Sequence, residues 1–71
     1  MNRVVELERV FDPVRLSVLR AVLTEAEIEN VVFDTGAGAL WQGAIPSRLM
    51  VRDEDFELAR RVLAAAGIAS A

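Results

Sequence analysis

Hydrophobic residues recur along the chain with two different periods, and the switches between them mark five elements. Val4-Val5-Glu6-Leu7-Glu8-Arg9-Val10-Phe11 has the β-branched content and approximate alternation of a strand. Val5 and Leu7 point to one side and Glu6 and Glu8 to the other, until Arg9 interrupts the pattern. Asp12-Pro13 then supplies a helix start, because an Asp side chain accepts from free first-turn amides and Pro at the first helical position needs no N–H partner. From Val14 to Ala26 the period lengthens to that of a helix. Leu16, Leu19, Val22, Leu23 and Ala26 share one face, and Ser17, Arg20, Thr24 and Glu27 lie opposite. Asn30-Val31-Val32-Phe33-Asp34 reads as a second strand. Ser47-Arg48-Leu49-Met50-Val51-Arg52 reads as a third, with Leu49 and Val51 inward and Arg48, Met50 and Arg52 outward. Asp53 is placed to cap a second helix, with Glu54 and Asp55 in a first turn where the helix dipole favours anions. Phe56, Ala59, Val62, Leu63 and Ala66 form that helix's apolar face, and Gly67 is placed to end it in the left-handed conformation.

An internal echo orders these elements. Val22-Leu23-Thr24-Glu25-Ala26-Glu27-Ile28 aligns, forty positions on, with Val62-Leu63-Ala64-Ala65-Ala66-Gly67-Ile68. Each half is then a strand and a helix followed by an Ile leading toward the next strand. Two such halves related by a pseudo-twofold give a single α+β domain over residues 1–71. Its layout is ferredoxin-like βαββα(β): an antiparallel sheet with two helices on one face and a fourth strand absent or rudimentary. Helices over 13–26 and 54–66 are predicted to pack on a sheet made from 4–11, 29–34 and 47–52. The predicted inward set is Val5, Leu7, Leu16, Leu19, Leu23, Val31 or Val32, Phe33, Leu49, Val51, Phe56, Val62 and Leu63.

Composition narrows the chemistry. The 71 residues are 54% hydrophobic and 27% charged, too apolar for intrinsic disorder. A chain of this length buries only about 60% of its surface on folding, which leaves little interior for an enclosed active site. The absence of Cys and His excludes disulfides, structural zinc and imidazole mechanisms, and no D-x-D-x-D-G cation loop is present. With no Tyr and no Lys, the phenol acid and the Schiff-base amine are also missing. No cofactor or metal site is expected, and the reading is non-enzymatic. All eight basic residues are Arg against eleven acids, so a net charge of −3 and a pI near 4.8 argue against nucleic-acid binding. No apolar run approaches a membrane span and no signal-peptide pattern opens the chain, so a cytoplasmic protein with no membrane contact is expected.

Candidate binding residues fall in and beside the connection over residues 35–46. It is longer than most hairpin loops and carries no charge. Gly36, Gly38 and Gly43 let a ligand or another backbone approach, and Trp41, next to Gln42, is the chain's single Trp and a natural binding anchor. The plainer reading is that Leu40, Trp41 and Ile45 fold back over the core. Arg48 and Arg52, on the helix-free face of the third strand, suit two-pronged contact with a carboxylate or phosphate. Alternatively, Glu6 and Glu8 on the neighbouring strand pair with them across the sheet. Arg15 and Arg20 read as solvated helix positions, and Asp12 and Asp53 as caps.

The stretches Val10-Phe11-Asp12-Pro13-Val14, Val22-Leu23-Thr24-Glu25-Ala26-Glu27-Ile28 and Gly43-Ala44-Ile45-Pro46-Ser47-Arg48-Leu49-Met50-Val51 resemble a small bacterial family. It is a domain-of-unknown-function family described as prokaryotic signal-transducing proteins with a PII-like fold. The resemblance implies a ferredoxin-like sheet and a regulatory or binding role without an established reaction. In PII-like proteins the long loop between the second and third strands engages partners, and residues 35–46 take that position, although no nucleotide-binding signature occurs there. The family's usual Gly after the first helix is replaced by Glu27, so that cap is expected to be made differently. Two functions follow as expectations: an interaction module using the 35–46 loop and the exposed sheet face, or a sensor binding an amino acid or nucleotide at a dimer interface. A homodimer is expected, through the edge of the first strand or the apolar arc at Val14 and Val18, with Val32 and Met50 leaving further apolar surface on the helix-free face.

Overall fold

The computed structural model describes residues 3–33 and 46–68. Their order is β1 (Val4–Val10), α1 (Pro13–Glu25), β2 (Asn30–Phe33), β3 (Ser47–Arg52), a 3₁₀ turn (Asp53–Asp55) and α2 (Phe56–Ala65). β3 is central in an antiparallel sheet of order β1-β3-β2. This is the α+β arrangement that the alternating periods predict, with three strands among the described residues.

Both helices cover the same face of the sheet. Leu49 and Val51 from β3, Leu19 and Leu23 from α1 and Ala59 and Leu63 from α2 belong to one buried cluster with Val10 and Ile28. Val5, Leu7, Leu16, Val22, Val32, Phe56, Val62 and Ile68 pack around it. Val32, not Val31, is therefore the inward residue of β2. Phe33 is a correction: it sits opposite Arg48, an outward position, and is about half exposed. A strand of period 2 with Val32 inward must turn Phe33 out. Among the described residues no polar side chain is buried and none has an orphaned buried polar atom.

β1 carries a bulge. Val5 lies opposite Val51 and Glu6 opposite Met50, but Glu8 lies opposite Leu49, so residues 6–8 span one step too many. The extra residue reverses the alternation. Val5 and Val10 both reach the helix-covered face although five positions separate them, and Glu8 turns to that face as well. There Glu8 is met by Arg15 of α1, whose Nη2 and Nε donate to Glu8 Oε2 at 2.7 and 3.1 Å. The same Nη2 also donates to the Ile68 carbonyl at 3.1 Å. Arg15 thus ties β1, α1 and the turn after α2 together, and it is not the solvated residue that the helical projection suggests. Arg20 is likewise engaged, donating through Nε to Asn30 Oδ1 at 2.9 Å.

The helix ends are set by local chemistry. Asp12 Oδ1 accepts from the Val14 amide at 2.9 Å, the expected cap. Asp53 does not cap α2: it opens the 3₁₀ turn, and its amide donates to the Arg3 carbonyl. At the other ends the two helices stop identically. After α1, the Ile28 amide donates to Leu23 O and the Glu27 amide to Thr24 O; after α2, Ile68 donates to Leu63 O and Gly67 to Ala64 O. Both are Schellman motifs, which need a left-handed residue between the helix and the closing amide. Gly67 takes that conformation at φ 77° and Glu27 at φ 62°. The first cap is therefore made in the same way as the second, with a residue that has to bear a Cβ clash.

Three stability measurements follow. Glu27→Gly removes the left-handed penalty and should raise the unfolding free energy in urea by about 1 kcal/mol, whereas Gly67→Ala should lower it by a similar amount. Nothing lies within 4 Å of a Cβ built at Gly67, so that cost is backbone strain alone. Arg15→Ala should lower it by about 1–3 kcal/mol, because the Glu8 side chain is only 10% exposed and loses its partner.

Candidate functional site

The sheet face away from the helices, the open face, is built by the register. Val4 stands beside Arg52, Glu6 beside Met50 and Arg9 beside Arg48; on the other side of β3, Val31 stands beside Met50 and Phe33 beside Arg48. The face therefore carries three guanidiniums and one carboxylate on a chain whose net charge is −3. Val4, Val31 and Phe33 are 46%, 44% and 49% exposed, and Met50 at the centre only 5%.

Arg9 and Arg48 face each other directly, a repulsive pairing unless a counter-charge intervenes. Glu6 is that counter-charge. Arg48 Nε donates to Glu6 Oε1 at 2.9 Å, and Arg9 Nε donates to Glu6 Oε2 at 3.0 Å. Both guanidiniums use Nε alone on Glu6, and among the described residues their Nη groups make no hydrogen bond. The hydrogen bond from Arg48, helped by that from Arg9 and by both charges, holds the Glu6 carboxyl below the usual carboxylate range against the opposing effect of desolvation. Arg52 is occupied differently, bonding through Nη2 to Glu29 with Glu54 near its Nη1. Beside it a depression of about 340 Å³ is lined by Val4, Glu29, Asn30, Val31, Met50, Val51 and Arg52.

Of the residues that the sequence marks for binding, Arg48 and Arg52 lie on this face as expected. Gly36, Gly38, Trp41, Gln42 and Gly43 lie outside the described residues. The cross-strand pairing of two Glu with two Arg is corrected: Glu6 pairs with Arg48, but Glu8 is on the other face and Arg52 pairs with Glu29. Arg9 and Phe33 are the additions. Arg9 breaks the alternation of β1, and that break was the available signal of a bulge.

One family model matches residues 4–67, and its description is "Putative prokaryotic signal transducing protein". The chain belongs to that family. No curated protein matches the chain. The family match spans β1 through the end of α2, so the open face lies wholly within it. Among the described residues no helix is long and apolar enough to cross a membrane.

The Glu6 linkage has a definite sign. Its native pKa is depressed, so the stabilisation from its pairing is present above the ordinary carboxylate pKa near 4.5 and is lost as pH falls through the lower native value. Glu6→Gln should therefore lower stability at neutral and alkaline pH, where the paired carboxylate is charged, and flatten the acid limb of a stability-against-pH profile, as read by thermal unfolding across pH.

Proposed function

We propose that this family member is a non-enzymatic regulatory module of the bacterial cytoplasm. In this reading it signals by binding an acidic protein partner on its open face, with residues 35–46 contributing contacts. The observation that supports this is the pairing of opposed Arg9 and Arg48 over one Glu6, next to half-exposed Phe33 and Val31. Guanidiniums whose Nη groups point past their internal partner recognise carboxylates by two-pronged hydrogen bonds, and a neighbouring aromatic adds apolar contact. Such a surface fits partner recognition through an aromatic and arginine anchor. The family's description agrees with a signalling role.

A second reading rests on the depression beside Arg52, which has the size of a small-molecule site. There the carboxylate or phosphate of an amino acid or nucleotide would be held by Arg52 in exchange for Glu29, as in a sensor.

Thermal unfolding separates the two. A sensor gains stability with its ligand, about 2.7 kcal/mol at a hundredfold excess over Kd, so a screen of amino acids and nucleotides should raise the melting temperature only if the second reading holds. For the first, a partner recovered on the tagged full chain should be lost with Arg48→Glu and retained with Val14→Lys, which lies on the helix side. Retention with Arg48→Glu overturns the open face as the binding surface.

A further inference from the structure

We infer that the chain self-associates through the edge of β2, two copies pairing these strands antiparallel about a twofold axis into one continuous sheet. The order β1-β3-β2 leaves one edge on β1 and one on β2 among the described residues. The two are not alike. The β1 edge is interrupted by the bulge at Glu6–Glu8 and carries Glu6, Glu8 and Arg9, all devices that deter edge pairing. Self-pairing centred on Leu7 would also set Glu6 against Glu8 of the second copy.

Among the described residues β2, though short, has neither a bulge nor a charged side chain within the strand. Its register with β3 is unbroken over Asn30–Phe33, and it contains no charge and no proline. One antiparallel self-register satisfies it fully. Val31 then lies opposite Phe33 of the second copy, Phe33 opposite the second copy's Val31, and Val32 opposite Val32. This keeps Val31 and Phe33 on the open face and Val32 on the helix face in both copies. A shift by one residue would set outward side chains against inward ones. A shift by two sets Phe33 against Glu29 in one direction and leaves Val31 beyond the end of the strand in the other. The chosen register makes two aromatic–β-branched cross-strand pairs from residues that are each half exposed in the single chain. A four-residue edge buries less than the roughly 800 Å² per partner of a standard stable interface, so the dimer is expected to be reversible, with micromolar affinity. The inference is independent of the ligand reading above, since its test reads mass and cross-links.

The full chain is measured by sedimentation equilibrium from micromolar to about 100 μM. The expected result is a concentration-dependent dimer that Val31→Lys/Phe33→Lys converts to monomer and Val14→Lys/Val18→Lys leaves intact. A monomer throughout, or a dimer that survives Val31→Lys/Phe33→Lys, overturns the inference. Because the chain has no cysteine, a second measurement is available that needs no charged substitution. Val31→Cys and Phe33→Cys, each at an exposed position, are oxidised separately and mixed. Directly opposed residues have Cα atoms within disulfide reach and residues offset by two do not. The mixture should yield a disulfide-linked pair and each variant alone should not; cross-linking of either variant with itself, or none in the mixture, overturns the register.

Discussion

The bulge at Glu6–Glu8 is the constraint on which both faces of the sheet depend. Without it, a strict alternation through β1 would turn Val10 away from the helices and Glu8 toward solvent. With it, Val5 and Val10 both contribute to the core, and Glu8 meets Arg15 on the helix side. The same extra residue rotates Arg9 onto the open face, opposite Arg48. Two cations in direct opposition then require the carboxylate of Glu6, and that three-residue cluster is the electrostatic centre of the open face. One inserted residue thus builds a core contact, a part-buried ion pair and a surface cluster together.

Much of the fold is legible in the sequence because each element has its own period and its own boundary residues. Asp12-Pro13 announces α1, and the alternation of β3 gives its inward pair without ambiguity. The forty-residue echo proves to be structural at the helix ends, where Leu23 and Leu63, Glu27 and Gly67, and Ile28 and Ile68 play identical parts in two Schellman motifs. The rule that a left-handed cap prefers glycine identifies Gly67 correctly and misleads at Glu27. There the closing bonds from Ile28 and Glu27 hold a residue with no intrinsic preference for that conformation. Tertiary packing of Ile28 in the core supplies the reason, since it fixes where the chain must turn.

The site was less legible, for reasons that lie in register. Alternation specifies which residues share a face only while the register is unbroken, and a bulge is invisible to a period count except as an anomaly such as Arg9. Phe33 shows the complementary limit. Its hydrophobicity argues for burial, but one strand with Val32 inward has no choice about its neighbour. A large aromatic on the outward side is then a surface feature to be explained and not a core residue. Arg48 and Arg52 could be placed on the open face from sequence, and so could Glu6 as the partner of Arg48, yet the partner of Arg52 could not, because Glu29 reaches it from outside any strand pairing.

The chemistry of the open face bears on what kind of work it does. A guanidinium stays protonated at all physiological pH, and Glu6 is held below the ordinary carboxylate range by the two guanidiniums on it. The cluster carries fixed charge and, among the described residues, Nη groups that make no hydrogen bond. Glu6 occupies one nitrogen of each opposed arginine and so holds both in place, lowering the cost of ordering them on contact. The two arginines against one glutamate leave a local excess of positive charge beside Phe33 on a chain whose net charge is −3. Under the proposed reading, that reversal of sign is what would steer an acidic partner to this face.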